Sequence, residues 1–183
     1  MARDAHVCSF SFHSKTNMAR NRKFSERRER PEYDQKLLDL ARVTRVVKGG
    51  RRFRFRATLV IGNRKGRVGV GVAKGADVSD AIKKAFNNAK KNMISIKMHQ
   101  STIPYEMSYK LGSARIILKP AKAGRGVIAG GAIRAVVDLA GIKDIVSKSL
   151  GTSNKLNVAR AVVAALSTFE HARSRKNRLG EQK

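Results

Sequence analysis

The chain has 183 residues, with 40 Lys and Arg against 13 Asp and Glu, for a formal net charge of +27. That length allows one or two domains with a real core, and a hydrophobic fraction of 42% excludes wholesale disorder. No apolar run approaches the roughly 18 residues of a membrane span, and the lone Cys8 excludes a disulfide framework or a multi-cysteine zinc site. A charge this large calls for a polyanion; nucleic acid ranks first and an anionic membrane surface second. The N-terminus carries no apolar leader with a small-residue cleavage site, which favours the cytoplasm.

Residues 1–36 read as a basic extension with few apolar anchors and a dense run from Arg20 to Arg30 that ends at Pro31. Two readings stand, a solvated tail and a tail that orders on a polyanion. Met18 opens a segment that would itself serve as an N-terminus.

Residues 37–100 carry sixteen basic and three acidic side chains, so about half of the net charge sits in one third of the chain. A uniformly solvated surface would not concentrate charge in this way, whereas a binding face would. The spacing predicts three strands and a helix. Val43–Val47 leads to Gly49-Gly50, a pair able to supply positive φ in a hairpin turn. From Phe53 the pattern alternates: Phe53, Phe55, Ala57, Leu59 and Ile61 on one face, Arg52, Arg54 and Arg56 on the other. A second turn over Gly62–Gly66 leads to a strand at Arg67–Ala73, where Gly69 and Gly71 imply close backbone approach or a bulge. A helix over 79–97 follows, with Asp77 or Ser79 as its cap and an apolar stripe of Ala81, Ile82, Ala85, Phe86, Ala89, Met93 and Ile94.

His99–Thr102 and Pro104 read as a linker into a second unit at 101–172, with fewer charges and more Ala, Ile and Val. There the pattern gives a strand at Ser113–Lys119, a helix up to Ala140 closed by Gly141, a strand at Ile142–Leu150 and a helix over Asn154–Ala172. Residues 173–183 make a basic tail. The fold class is α+β: two small domains, the first a three-stranded sheet plus helix, the second a βαβα arrangement.

Candidate chemistry is sparse. The hairpin from Arg45 to Arg52 can press its glycine backbone against phosphates while its cations neutralise them, as against an ordinary solvated hairpin. Candidate RNA contacts are Arg42, Arg45, Lys48, Gly49, Gly50, Arg51, Arg52, Arg54, Arg56, Arg64, Lys65, Arg67 and Lys74. Gly124-Arg125-Gly126 through Gly130-Gly131 matches neither the dinucleotide fingerprint nor a P-loop. It could hold an anion at a helix N-terminus, or serve tight helix–strand packing and the turn itself. His6, His13, His99 and His171 are scattered, and no metal, cofactor or catalytic constellation appears. Aromatic residues make up 5%, so recognition of RNA backbone and shape fits better than base stacking. A small-molecule kinase built on the Gly124–Gly131 loop and a free regulator binding double-stranded RNA are the competing readings.

The runs Val47–Arg51, Gly62–Lys74 (GNRKGRVGVGVAK) and Ala81–Met93 resemble the first domain of the bacterial small-subunit ribosomal protein S-five family. Gly126–Val136, Leu139–Gly141, Lys148–Gly151 and Ser153-Asn154 match its second domain in order. The resemblance covers about residues 37–170 and implies a first domain like the double-stranded-RNA-binding fold. It implies a non-enzymatic role: binding 16S ribosomal RNA, supporting subunit assembly and decoding accuracy, and contacting proteins S-four and S-eight near the messenger RNA entry path. It places the Val47–Arg51 loop near the spectinomycin region of the RNA and Arg134 where the family meets S-four; Arg125 is a further candidate protein contact. The chain departs from the family at Ser79 and Lys155, where Pro is usual, and at Arg125, where Thr is usual.

Overall fold

The computed structural model describes residues 32–96 and 98–180, with the backbone alone from residue 170 onward. The expected N-terminal extension up to Pro31, Cys8 included, and the last three residues of the expected tail lie outside the described residues.

The first sheet has the order β1-β2-β3-β4, from β1 (Asp34–Val47), β2 (Gly50–Gly62), β3 (Arg67–Gly75) and β4 (Met93–Ser95), all antiparallel. The expected three strands are present and a short fourth joins them. It is made from Met93 and Ile94, which the apolar period had assigned to the helix. The helix, α1 (Val78–Lys91), ends at Asn92, and Met93–Ser95 then pairs with Arg67–Gly69. An apolar pair such as Met93-Ile94 satisfies either period, and backbone pairing to an open strand decides between them.

The β1–β2 hairpin is longer than the sequence suggested, running in register from Asp34–Gly62 to Val47–Gly50 with one irregularity at Leu37/Asp39. Its loop is Lys48-Gly49, one residue earlier than the expected Gly49-Gly50, and the positive φ falls on Gly50 (+133°).

The expected division of β2 into a core face and a charged face holds for only part of its length. Toward the tip both faces meet solvent, and Phe53 is 46% exposed rather than in a core. From Ala57 onward both faces are buried. Ala57, Leu59 and Ile61 pack with Ala81, Ala85 and Ala89 of α1. Val60, with Val68 and Val70 of β3, packs instead into the core of the second unit. A β-strand presents alternate residues to opposite faces, so the charged rear face becomes an apolar one where a second layer covers it.

Gly69 and Gly71 confirm the close approach. A Cβ on Gly69 would run into the Ala89 carbonyl oxygen, and one on Gly71 would lie 2.5 Å from the Ala89 nitrogen. Three alanines on the helix and two glycines on the strand let the two backbones come together.

The second sheet has the order β5-β6-β8-β7, from β5 (Met107–Leu111), β6 (Ala114–Pro120), β7 (Val127–Ile128) and β8 (Ile145–Leu150). The helix α2 (Gly131–Ala140) connects the parallel strands β7 and β8, and Gly141, at φ +90°, ends it as expected. The edge strand β5 was not anticipated, and β8 starts at Ile145 rather than Ile142. The last helix, α3 (Lys155–Gly180), runs through most of the segment expected as a tail. Ile116, Leu118, Ile133, Val136, Val137, Ile145, Val162 and Leu166 form its shared core; each buried aliphatic side chain contributes about 1.5–3 kcal/mol.

Two further ties join the units. The loop after β2 donates the Arg64 and Gly66 N–H groups to the Leu139 and Ala140 carbonyls at the end of α2, at 3.0 and 2.9 Å. The presumed linker is a closed turn: His99 and Thr102 exchange backbone bonds, and the Ser101 carbonyl accepts the Lys143 and Asp144 N–H groups.

Candidate nucleic-acid interface

The candidate contacts do not form one patch. Arg42, Arg45, Lys48, Gly49, Gly50, Arg51, Arg52, Arg54 and Arg56 lie on the hairpin, and Lys74 pairs with Arg56 across β2–β3. Arg64, Lys65 and Arg67 lie at the other end of β2. At about 3.3 Å per residue, the twelve steps from Gly50 to Gly62 put the hairpin tip roughly 40 Å from this loop, and the six steps from Arg56 leave about 20 Å at the near end of the row.

Register sorts the hairpin cations by face. Cross-strand partners share a face, so Arg45, Arg52, Arg54, Arg56 and Lys74 stand together on the rear face. Arg42 and Arg51 stand on the other, with Phe53 and Phe55. There the Arg42 guanidinium lies 3.6 Å from the Phe53 ring centroid. This contact explains how an exposed aromatic ring is covered at the tip.

Charge compensation separates the two ends. Among the described residues, none of Arg42, Arg45, Lys48, Arg51, Arg52, Arg54, Arg56 and Lys74 has an acidic partner within 4.0 Å, whereas Lys36, at the base of the hairpin, meets Asp138 at 3.8 Å. Arg64, by contrast, is paired with Asp34 at 2.8 Å. The Asn63 side chain accepts the Lys65 and Arg67 N–H groups at 2.8 and 3.0 Å, which fixes that loop. The Nε of Arg56 is buried and makes no hydrogen bond among the described residues. Like charges set side by side without counter-charges do not stabilise a fold; they suit a surface that meets a polyanion.

In the glycine segment of the second unit, the turn requirement holds at Gly124 and Gly126 and the close-packing requirement does not. Cβ atoms on Gly124, Gly126, Gly130 and Gly131 would meet nothing within 4 Å, so close packing does not require these glycines. Gly124 and Gly126 hold φ of +86° and +75°, which leaves the turn as their reason. The turn at Gly126 holds a carboxylate of the chain itself. Gly126 N–H donates to Asp144 Oδ1 at 2.9 Å, and Ser101 Oγ donates to Asp144 Oδ2 at 2.8 Å. The Gly126 N–H first, and then the Ser101 hydroxyl, hold the Asp144 carboxyl below the usual carboxylate range despite its burial. A buried carboxylate therefore occupies the Gly124–Gly126 turn; it makes no hydrogen bond with Gly130 or Gly131 at the start of α2. No local pattern marks Asp144 in the sequence, because its partners Ser101 and Gly126 are far from it in the chain.

Asp77 stands at the α1 N-cap, and its carboxylate accepts the Ser79 hydroxyl at 2.7 Å. That bond chiefly lowers its pKa. Arg125 is exposed on the turn before β7, and Arg134 is exposed on the first turn of α2. Among the described residues, no cluster of three or more His, Cys, Asp and Glu side chains could hold a metal, and no helix is long and apolar enough to cross a membrane.

A two-domain α+β chain that sets Arg45, Arg52, Arg54, Arg56 and Lys74 on one face without acidic partners among the described residues has the surface of a protein that meets a polyanion. The family model described as "Ribosomal protein S5, N-terminal domain" matches residues 33–97, and "Ribosomal protein S5, C-terminal domain" matches residues 109–178. The chain is 53% identical over 145 residues to the small ribosomal subunit protein uS5 of Campylobacter jejuni strain 81-176, covering 79% of this chain and 99% of the relative. The uS5 protein of Campylobacter jejuni strain RM1221 matches to the same extent. The chain belongs to the ribosomal protein S5 family, a family of structural ribosomal proteins.

Proposed function

We propose that the protein is a structural constituent of the small ribosomal subunit, in the cytoplasm, which binds 16S ribosomal RNA and supports subunit assembly and decoding accuracy. The observation that carries this reading is the rear face of the hairpin, where Arg45, Arg52, Arg54, Arg56 and Lys74 stand without acidic partners among the described residues. Its mechanism is electrostatic. The cations replace counterions on phosphates, and the Lys48-Gly49-Gly50 tip brings backbone close to the RNA. The segments 37–100 and 101–172 act as two working units, the first meeting RNA and the second packing against protein. Arg134 is the contact with protein S-four, through which accuracy is set, and Arg125 is a further protein contact. Protein S-eight is a second neighbour, and the protein lies near the entry path of messenger RNA. Arg64, Lys65 and Arg67 reach a separate RNA segment from the hairpin.

Reconstitution of the subunit with purified components tests this. The R52E/R54E/R56E variant is expected to bind at strongly reduced occupancy while remaining folded. Full occupancy of the variant would remove the hairpin face from the mechanism.

A further inference from the structure

β4 pairs with Arg67–Gly69 only, so the outer edge of β3 carries no partner strand at Val70 and Val72. A groove of about 480 Å3 opens there between α1 and α3. Its polar lining comes from Asn88 of α1, from Asn92 at the end of that helix and from Arg160 and Ser167 of α3; it holds no carboxylate. Arg160 is exposed and has no acidic partner within 4.0 Å among the described residues.

The groove continues the hairpin's rear face. Val70, Val72 and Lys74 alternate onto one face of β3, and Lys74 is two residues, about 7 Å, beyond Val72. Lys74 faces Arg56 across the strand pair, and the buried Nε of Arg56 is without a hydrogen bond among the described residues. The row Arg52, Arg54, Arg56, Lys74 therefore leads along the sheet toward Arg160, which belongs to the other domain.

We infer that this groove is a phosphate-binding site of the second domain, which takes the sugar–phosphate backbone of RNA held by the hairpin face, with Arg160 as its cation. The inference rests on the proposed RNA-binding role and extends it across the domain boundary. Charge complementarity selects the occupant: the groove offers the Arg160 cation and the Asn92 amide and no acid, while the Asn88 amide donates to the Val72 carbonyl at 3.0 Å and the Ser167 hydroxyl to the Ala164 carbonyl at 2.8 Å. No aromatic side chain lines it, so a stacked base has no platform there and the backbone is the fitting part. Contacts from both domains along one RNA path would fix their orientation on the RNA, which a single patch does not.

The test uses the full-length chain and whole 16S ribosomal RNA over graded KCl. The R160E variant is expected to bind about tenfold more weakly near 0.1 M salt, with a salt dependence shallower by about one. K143E makes the same charge change at an exposed site outside the groove and is expected to bind as the parent does. In a C8S/S167C background, an iron chelate tethered at residue 167 is expected to cleave the RNA locally. R160E binding no worse than K143E, or no cleavage from residue 167, overturns the inference. If the R52E/R54E/R56E variant still weakens binding in that case, only the groove has failed. If that hairpin variant binds normally while R160E binds weakly, the hairpin reading has failed instead. Normal RNA affinity of R160E, together with failure of another ribosomal protein to join the reconstituted particle, assigns the groove to a protein and also overturns the inference.

Discussion

Gly71→Ala and Gly49→Ala make the same chemical change with opposite expected results. At Gly71 the added Cβ would collide with the Ala85 carbonyl oxygen, and it would lie 2.5 Å from the Ala89 nitrogen and 2.8 Å from the Ala89 Cβ. Two of these three obstacles are helix backbone, which cannot turn aside as a flexible side chain can. Relief requires α1 to lift from β3, opening the packing of Ala81, Ala85 and Ala89 on Leu59 and Ile61. Overpacking commonly costs about 1–3 kcal/mol; with backbone as the obstacle the upper part of that range applies. For a chain of this size, about 3 kcal/mol lowers the melting temperature by roughly 6–12 °C. At Gly49 the Cβ meets nothing within 4 Å and the φ is not left-handed. There, reduced freedom of the unfolded chain gives at most about 0.4–1 kcal/mol of stabilisation. Thermal and urea unfolding of the two variants measures the difference. Equal stability of the two, within about 0.5 kcal/mol, would refute the account of the helix–strand contact.

Asp144→Asn is expected to destabilise the chain at neutral pH, because Gly126 and Ser101 both donate to the carboxylate. The folded-state pKa is depressed, so this contribution is complete above the unfolded value of about 3.9 and is lost as pH falls through the folded value. Stability of the two proteins should converge below about pH 4, and a gap that stays constant down to acid pH would contradict the assignment. Ile133→Ala, in the core shared with Val60 and Val68, should cost about 2–5 kcal/mol within a single unfolding transition. Two resolved transitions in calorimetry would show that the sheets do not share a cooperative core. Arg134→Glu should alter misreading in a reporter assay while leaving RNA affinity nearly unchanged, and unchanged accuracy would remove Arg134 from the protein contact.

The elements with strong periods were legible from the residues alone. The alternation at Phe53–Ile61, the helix stripe at Ala81–Ala89 and the Gly141 stop each express one local rule. What escaped depended on partners distant in sequence. Met93 and Ile94 fit the helix period but were taken by the open strand of β3. Val60 and Thr58 share the face of Arg56, and nothing local shows that this face becomes covered. Asp144 seemed an isolated acid because its donors, Ser101 and Gly126, meet it only in the fold. The candidate site was half legible for the same reason. Composition marked the basic residues but not the roughly 40 Å between the hairpin tip and the Arg64–Arg67 loop. Nor did it expose the salt bridge that occupies Arg64.

Affinity for 16S ribosomal RNA as a function of KCl, for the parent chain and for R52E/R54E/R56E, addresses the central claim most directly. Each phosphate contact adds about 0.9 to the slope of log affinity against log salt. The variant is predicted to bind more weakly at low salt and to lose roughly 2 to 3 from that slope. Parallel lines for the two proteins, at equal affinity, would contradict RNA binding by the arginine face of the hairpin.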